Sequence, residues 1–350
     1  MQTKFETERK EKENIILTSE NYRQKLVLIG LIALVLFVIF FAVQIYLSRR
    51  RLKQAHINLL NLHQEVYQQK EEIETQAENL IRANEAIVAQ KDHIESTHQK
   101  ISDSIIYASF IQSAMLPSEE VLNNVSKDYF ILYKPRDVVS GDFYWLKEKN
   151  GETLLSVADC TGHGVPGALL SMMGISFLND IVANASVIKV SNILEELRQN
   201  VKQALGQFSN QSLRKEGIEI GLISYNPKTK IVSYSGAYLS LWLCRKGKPI
   251  EYKSDRMPIG ISLKEKPFSS IEFKLEPDDV LYMFSDGYSD QIGGPNGKKL
   301  LRRNFIQHLS TTSHLPLNEQ KKQLEKMHQG WRGSKFDQID DILVMGIKFN

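Results

Sequence analysis

The fold is decided around one stretch, Val157-Ala158-Asp159-Cys160-Thr161-Gly162-His163-Gly164-Val165-Pro166-Gly167-Ala168. The apolar run that leads into it from Thr153 predicts a β-strand, and the apolar residues after it predict a helix with Pro166 in its first turn. Asp159 therefore lies where a strand ends, and glycines come next, where the backbone must pass close to another group. We interpret Asp159 as a metal ligand whose site is completed by other carboxylates.

A second carboxylate, Asp142, opens the β-prone run Phe143-Tyr144-Trp145 that precedes this strand. The pair Asn150-Gly151 between the two runs is a strong hairpin signal. Two antiparallel strands joined in this way can bring Asp142 and Asp159 near each other, at the same end of a sheet or on facing backbone.

In two later motifs a carboxylate again lies next to the end or the start of a predicted strand. The apolar run from Val280 ends at Ser285-Asp286-Gly287, and Asp340-Asp341 opens a terminal strand. Clustered carboxylates repel one another unless a cation lies between them. Oxygen ligands suit Mg²⁺ or Mn²⁺ rather than zinc, and two such ions about 3.5–4 Å apart can activate a water for in-line displacement at phosphorus.

Two other chemistries compete for the glycine-rich stretch. The spacing Gly162-x-Gly164-x-x-Gly167 matches the dinucleotide-binding fingerprint. However, a βαβ unit needs about 30 residues, and the segment 168–180 cannot hold a helix and a second strand. Cys160 could be a phosphatase nucleophile, but cysteine-dependent phosphatases place an arginine six positions later, where this chain has Pro166. A metal centre therefore remains the better interpretation.

Taken together, the four motifs resemble those of the metal-dependent (PPM-type) serine/threonine protein phosphatases, and especially the bacterial branch named for stage II sporulation protein E, SpoIIE. The resemblance covers residues from about Met115 to Asn350. It implies an α+β fold, an α-β-β-α sandwich of two antiparallel sheets flanked by helices. It also implies a two-metal centre that hydrolyses phosphoserine or phosphothreonine, usually in phosphorylated STAS-type anti-anti-sigma proteins.

The resemblance also implies a set of Mn²⁺ or Mg²⁺ ligands, drawn from all four motifs: Asp142, a bridging Asp159, the Cys160 carbonyl, Asp286 and Asp340. Asp341 competes with Asp340 for the last place. Asp290 would be an accessory carboxylate that helps to hold a further, weaker ion. Three departures from the family pattern leave these carboxylates intact: no Asp in Glu216–Glu219, Leu343 where Thr is common, and no asparagine in Gly236–Ser240.

Two cationic side chains beside the motifs have open roles. His163 is a candidate catalytic residue, as general acid for the leaving alkoxide, or a loop histidine that bonds backbone. Arg136 could hold the phosphate through its planar guanidinium, or it could be a solvated loop side chain. The candidate catalytic set is therefore Asp142, Asp159 and His163.

The N-terminal third differs in composition from the rest of the chain. Residues 1–25 are polar, with charges of both signs, and predict a short tail. Residues 26–47 contain no charged side chain and, at about 1.5 Å per residue, can cross a hydrocarbon layer about 30 Å thick. The arginine run 49–51 favours a cytoplasmic location for the C-terminal side of this span. We therefore expect a single-pass protein of the inner membrane with its phosphatase domain in the cytoplasm.

Residues 48–116 predict a coiled-coil signalling helix. Their seven-residue repeat predicts a left-handed coiled coil and hence a homodimer: Leu52, Leu59, Val66, Ile73, Leu80, Ile87, Ile94 and Ile101. The second seam position is polar or small at six of its seven places, all but Leu62, so about half of the whole seam is poorly apolar. The pairing is therefore expected to be marginal, and a passive stalk is the alternative. Denser apolar residues after Ile101 predict docking onto a globular body, and Pro117 ends the helix.

The bulk composition excludes few functions. Lys and Arg number 44 against 41 Asp and Glu, a net charge of +3 that gives no reason to expect a nucleic-acid partner. Two cysteines make a disulfide framework improbable. With residues 117–350 as the phosphatase domain, the sequence predicts a membrane-anchored phosphoprotein phosphatase. The alternative is a non-catalytic coiled-coil scaffold whose phosphatase-like domain binds a partner.

Overall fold

The structure, a computed structural model, describes residues 2–126, 128–207 and 216–349. It divides into two compact units, Met1–Glu95 and Ser96–Asn350. The apolar span and the heptad region form one continuous helix, α1 (Gln2–Met115), which ends beside Pro117 as expected. The polar stretch predicted as a short tail belongs to the same helix from Gln2 onward.

Exposure distinguishes α1 from every other helix that the structure describes. All of its side chains from Thr3 to Ile101 are exposed, including the apolar run 26–47. By length and composition this helix could cross a membrane, and so could the helix Gly164–Asn184, half of which is buried as a core helix would be. An exposed apolar run of this length requires a lipid or protein partner.

Within the second unit, the last turns of α1 pack onto the hydrophobic core only in part. Met115 packs against the hydrophobic core, and Gln112 is buried. Ile106, Phe110 and Ile111 remain exposed. The predicted docking after Ile101 is therefore correct for the end of the helix, whereas the apolar residues before it stay uncovered.

The remaining elements come in chain order: α2 (Glu119–Val125), β1 (Tyr129–Lys134), β2 (Phe143–Lys149), β3 (Glu152–Cys160), α3 (Gly164–Asn184), α4 (Val190–Ala204), β4 (Gly217–Asn226), β5 (Ile231–Ala237), β6 (Leu241–Arg245), β7 (Lys248–Tyr252), β8 (Ile259–Gly260), β9 (Ile271–Lys274), β10 (Val280–Phe284), α5 (Gly287–Asp290), β11 (Ile292–Gly293), β12 (Lys298–Lys299), α6 (Arg302–Thr312), α7 (Leu317–Arg332) and β13 (Ile342–Ile347). The helix predicted from Ser191 to Phe208 is α4, and Phe208 lies outside the described residues.

Two antiparallel sheets form the body of the second unit. The first has the strand order β1-β13-β10-β6-β7, and the second has the order β2-β3-β4-β5-β9 with β8 paired to β4. The predicted Asn150-Gly151 turn joins β2 and β3, with both residues at positive φ, 54° and 79°. A two-residue turn of this kind matches the right-handed twist of the strands that it joins.

Side-chain alternation along the strands produces three apolar layers. On β3, Leu154 and Ala158 pack with α3 and α4, whereas Leu155 and Val157 belong to the core between the sheets. The first sheet packs its other face against α6 and α7, through residues such as Phe305. These layers form the α-β-β-α sandwich that the resemblance implies.

Candidate active site

The alternation of strand side chains decides where the motif residues point. Three of them lie two positions from a residue of the intersheet core, and so on the intersheet face: Asp159 after Val157, Ser285 after Met283 and Asp341 before Leu343. The β2–β3 register pairs Phe143 with Ala158, so Asp142 and Asp159 come to the same end of that hairpin, as predicted.

Ser285 connects the two sheets at this end. Its hydroxyl donates to Asp142 Oδ2 at 2.6 Å and accepts from the Leu343 backbone N–H at 3.0 Å. Asp142 directly precedes β2 of the second sheet, and Leu343 lies on β13 of the first. The motifs, which are far apart in sequence, therefore meet at one end of the sandwich.

Asp142 and Asp159 form the most strongly perturbed pair of carboxyl groups. Asp142 is 1% exposed, and burial, followed by the charge of Asp159, raises its pKa well above the usual range against the opposing hydrogen bond from Ser285. Burial, followed by the charges of Asp286 and Asp340, raises the pKa of Asp159 to about 8. The carboxyl groups of Asp142 and Asp159 are close enough to share a hydrogen bond. A carboxylate pair this close is tolerated only with a shared proton or a cation.

The last turn of α1 holds the loop that carries Asp142. Gln112 Nε2 donates to the Ser140 carbonyl at 2.6 Å and to Ser171 Oγ at 2.8 Å. Gln112 Oε1 accepts from the Ser140 backbone N–H at 3.1 Å. Ser140 Oγ in turn accepts from the Asp142 N–H at 3.1 Å. A shift of Gln112 would therefore move Ser140 and, through it, change the position of Asp142.

The terminal pair, Asp340 and Asp341, is divided between two roles. Asp341 is 3% exposed, and its two oxygens accept from the backbone N–H groups of Arg136 and Gly141, each at 2.7 Å. Asp340 is half-buried and accepts from the Asp341 N–H at 2.9 Å. Burial is the largest cause of the raised pKa of Asp340, and the charge of Asp341 adds to it. Asp341 therefore organises the loop and adds its charge to the cluster around Asp142, whereas Asp340 acts on the cluster through its charge.

This division predicts opposite effects for two neighbouring substitutions. Asp341→Ala leaves the buried N–H of Gly141 and the partly buried N–H of Arg136 without their acceptor, so we expect a loss of about 1–3 kcal/mol in the free energy of unfolding. Asp340→Ala is expected to cost much less stability but to remove activity. Thermal and denaturant unfolding, measured beside phosphatase rates, separates the two effects. Equal stability losses for the two variants would contradict the assignment.

A small pocket opens on the other side of Asp159. Asp159, Asp286, Glu219 and Arg302 are among the residues that line it. Glu219 pairs with Asp159 across β3 and β4, and burial, followed by the charge of Asp286, raises its pKa. Burial, followed by Asp340, likewise raises the pKa of Asp286. The segment Glu216–Glu219 lacks the Asp that the family often has, but Glu219 still supplies a carboxyl group at the pocket.

Asp290 lies apart from this cluster in its contacts. Its Oδ2 accepts from Lys299 Nζ at 2.6 Å in an ion pair. Asp290 is half-buried, and its charge contributes to the raised pKa of Asp286. A weaker ion held by Asp290 would therefore have to replace Lys299 as its partner.

Left-handed backbone at Gly162 and Gly164, and close packing at Gly167 and Gly141, account for the glycines in and near the central stretch. Gly162 has a φ of 86° and Gly164 a φ of 64°, values that favour glycine. A Cβ on Gly141 would lie 2.8 Å from the Gly162 carbonyl and 3.2 Å from the Cys160 carbonyl. The next strand after α3 and α4 is β4, and it pairs antiparallel with β3. The fingerprint spacing therefore serves loop packing here and belongs to no parallel βαβ unit.

The Cys160 side chain has no access to a substrate. It is 3% exposed within the core that packs on α3 and α4, and burial raises the pKa of its thiol well above the usual value. A nucleophilic cysteine needs the opposite, an exposed thiol of lowered pKa. The Cys160 backbone carbonyl, by contrast, faces Gly141 beside Asp142.

His163 and Arg136 lie on the Asp340 side of the cluster. His163 Nδ1 lies 3.1 Å from Asp137 Oδ2, and both side chains are exposed. Within the described residues, His163 makes no side-chain hydrogen bond to backbone, and Arg136 is exposed, with its Nη1 donating to the Ile339 carbonyl at 3.1 Å. Both side chains oppose the raised pKa of Asp340 through their charges.

The donor chemistry of the cluster fits hard divalent cations, because every side chain that converges there offers oxygen. Burial, followed by the charges of neighbouring carboxylates, raises the pKa values of Asp142, Asp159, Asp286 and Asp340. Among residues 2–126, 128–207 and 216–349, no group of three acidic, histidine or cysteine side chains is arranged closely enough to hold a metal ion. The fit therefore rests on the oxygen ligands and their charge rather than on a finished coordination geometry.

Three residues that shape this site were not predicted from the sequence. Ser285 could have been found by strand alternation, because it stands two positions after an intersheet residue. Gln112 and Arg302 carry no such signal, since one belongs to the end of a helix and the other to a basic surface run.

The fold and the carboxylate-lined cleft define a class of protein, the PP2C-type phosphatase domain. The family model described as Stage II sporulation protein E (SpoIIE) matches residues 149–350, and the chain belongs to this family. The match begins at residue 149 and so leaves out the motif that contains Asp142. That motif is assigned to the site by its contacts in the structure, such as the hydrogen bond between Ser285 and Asp142.

Individual relatives agree with this assignment. The SiaA-PP2C domain of Pseudomonas aeruginosa is 32% identical, with a TM-score of 0.65, over 73% of this chain and 99% of that one. A Bacillus subtilis SpoIIE structure, with the PP2C phosphatase domain and a fragment of the regulatory domain, is 18% identical, with a TM-score of 0.50, over 64% of this chain and 61% of that one. The phosphoserine phosphatase RsbU of Bacillus subtilis (strain 168) is 24% identical over 203 residues, 55% of each chain, so this chain spans about half the length of RsbU.

Proposed function

We propose that this chain is a metal-dependent phosphoserine/phosphothreonine protein phosphatase. One observation carries the proposal: Asp142, Asp159, Asp286 and Asp340, from motifs far apart in sequence, meet in one electrostatic cluster at the end of the sandwich. Membership of the SpoIIE family supports the same chemistry. RsbU, a relative described as a phosphoserine phosphatase, supports a phosphoserine substrate.

In this proposal, Mn²⁺ or Mg²⁺ would be held by the carboxylates of Asp142, Asp159, Asp286 and Asp340 and by the Cys160 carbonyl. The bound ions would supply a water of lowered pKa and neutralise charge on the phosphoryl oxygens. Ser285 orients Asp142 through the hydrogen bond between their side chains. A preorganised ligand set avoids reorganisation cost during the reaction.

His163 is the proposed general acid for the leaving group. The contact of its Nδ1 with Asp137 leaves Nε2 as the atom that can donate a proton to the departing serine or threonine oxygen. Both His163 and Asp137 are exposed, so a protein substrate could reach them. Asp137 is in this proposal a positioning residue for the imidazole.

The N-terminal helix would anchor the enzyme in the inner membrane. The exposed apolar run 26–47 supports a single span, and the basic residues 49–51 support a cytoplasmic phosphatase domain. Phosphorylated STAS-type proteins are the proposed substrates, as the resemblance to the SpoIIE branch implies. A phosphoprotein substrate agrees with a cytoplasmic domain, since protein kinases and their ATP are cytoplasmic. A chain that fractionates with soluble proteins would contradict this location.

The heptad region would pair two copies of the chain. All of its apolar seam residues are exposed, which a parallel coiled coil would cover. Gln112 offers a physical route from the helix to the site, because it bonds both backbone groups of Ser140. A detergent-solubilised chain that sediments as a monomer would contradict the dimer.

The deciding experiment is a metal-dependence assay on the full-length chain in detergent or nanodiscs. We expect hydrolysis of p-nitrophenyl phosphate and of a phosphorylated STAS-domain protein with Mn²⁺ or Mg²⁺, and no hydrolysis in excess chelator. Activity that is unchanged by the chelator would refute the metal mechanism. Binding of the phosphoprotein without any turnover would instead favour the scaffold alternative.

A further inference from the structure

Arg302 is the first residue of α6 and its side chain lines the pocket beside Asp159. The backbone just before it is anchored to the segment that carries Asp286. The Leu300 N–H donates to the Gln291 carbonyl at 3.0 Å, and the Leu301 N–H donates to the Ser289 carbonyl at 2.9 Å. The base of the Arg302 side chain is therefore held in register with the carboxylate cluster.

Two aromatic rings support the guanidinium group. Its central carbon lies 5.5 Å from the ring centroid of Phe284 and 5.8 Å from that of Trp242. Phe284 is 5% exposed and stands two residues before Asp286. Cation–π contacts of this kind attract the guanidinium through its flat face and leave its N–H edges free to donate.

The donors of Arg302 have no acceptor among the residues that the structure describes. The side chain is exposed, and no hydrogen bond or ion pair to it occurs in the described part of the chain. Its charge nevertheless acts on Glu219 and Asp286, opposing the rise of their pKa values. Arg302 therefore lies near carboxylates without bonding to them, and its N–H groups can bind an anion.

The pocket has room for such an anion. Its volume is about 50 Å³, whereas a single water requires about 10–15 Å³ by the same measure. Arg136, the residue whose guanidinium the sequence offered as a phosphate binder, already donates to the Ile339 carbonyl. The free donors at the mouth of the pocket are those of Arg302.

We propose that Arg302 binds the phosphoryl group of the substrate through its guanidinium N–H groups. This inference rests on the proposed phosphatase function and adds a residue from α6 to it. Guanidinium groups recognise phosphate oxygens by paired, charge-assisted hydrogen bonds. Arg302 would hold the non-bridging oxygens and so orient the ester toward the carboxylate cluster.

The test compares Arg302→Ala and Arg302→Lys with Arg303→Ala in the full-length chain. Arg303 is the next residue of α6, is exposed, and does not line the pocket, so it is the matched charge control. In Arg302→Ala we expect the KM for p-nitrophenyl phosphate and the inhibition constant of inorganic phosphate to rise about ten- to hundredfold. The kcat should change less. Arg302→Lys should be intermediate, and Arg303→Ala should match the wild type.

A direct binding measurement keeps this test separate from the proposed function. Calorimetric titration of inorganic phosphate into the Mg²⁺-loaded protein needs no turnover, and Arg302→Ala should weaken this binding by the same factor. If the wild type hydrolyses nothing, the proposed function fails while the phosphate titration still tests Arg302. Arg302→Lys, which keeps the charge, serves if the alanine variant does not fold.

Three results would overturn the inference. Phosphate could bind Arg302→Ala as tightly as the wild type. The effect could be confined to the KM of a phosphoprotein, which would place Arg302 against the protein part of the substrate. Arg302→Ala could also tighten Mg²⁺ binding with no change for phosphate, which would make Arg302 a counter-ion of the carboxylates alone.

Discussion

Asp159→Asn is expected to lower phosphatase activity about a hundred- to a thousandfold, the scale of removing a preorganised electrostatic group from an active site. Asp159 has the central position in the cluster, since it interacts with Asp142 on one side and with Asp286 and Asp340 on the other. Asparagine is nearly isosteric but carries no charge. The substitution therefore weakens the hold on both proposed ions while it preserves the packing of β3.

Initial rates with p-nitrophenyl phosphate and a phosphoprotein, in Mn²⁺, measure this loss. Asp278→Asn is the matched control, because Asp278 is an exposed loop residue with a φ of 66°, where asparagine is well tolerated. We expect the control to keep wild-type activity. A folded Asp159→Asn protein with substantial activity would be incompatible with a metal centre built on Asp159.

The second large effect concerns the stability of the protein without metal. The pKa of Asp159 is raised to about 8 in the folded state, against about 3.9 in an unfolded chain. Between these values the folded state retains a proton that the unfolded chain has released. Because the folded state binds more protons, stability must fall as the pH rises from about 4 to about 8. The repulsion is complete above this window.

Asp159→Asn removes one charge from the cluster, so in chelator at pH 8 it is expected to be more stable than the wild type. Each kcal/mol of relieved repulsion corresponds to a rise in Tm of about 2–4 °C for a domain of this size. Added Mn²⁺ should stabilise the wild type by binding the folded state, and the variant much less. Activity and metal-free stability are thus expected to change in opposite directions.

Tryptophan fluorescence can follow this unfolding selectively. The three tryptophans of the chain, Trp145, Trp242 and Trp331, all lie in the unit Ser96–Asn350. Melting curves in chelator at pH 5, 7 and 8.5, with Asp278→Asn beside the wild type, supply the comparison. A Tm that is flat across this range and indifferent to Mn²⁺ would show that the carboxylates do not share one electrostatic environment.

Much of the architecture was predictable from local pattern. The hairpin at Asn150-Gly151, the helix after Pro166 and the uninterrupted α1 all result from turn chemistry and periodicity. Strand alternation also suffices to place Asp159 on the intersheet face. The resemblance to the SpoIIE branch supplied the two-sheet sandwich, and the family match confirms that membership. The anchoring, the pairing of the coiled coil and the metal ligands stay predictions.

The choice between Asp340 and Asp341 shows the limit of local pattern. Both are carboxylates at the start of one strand, and nothing in their spacing separates them. Asp341 is occupied by N–H groups of Arg136 and Gly141, about two hundred residues away in sequence. Only the packing of the two sheets brings those donors to it.

By itself, the sequence determined the β2–β3 hairpin, the helices α1, α3 and α4, the strands that lead to the carboxylate motifs, and which residues carry negative oxygens, because those properties repeat over a few residues. The tertiary structure alone decided that Ser285 joins the sheets at Asp142 and that Arg302 faces the carboxylates without bonding to them. Such contacts depend on how separate layers settle against one another, and no periodicity within a segment encodes them.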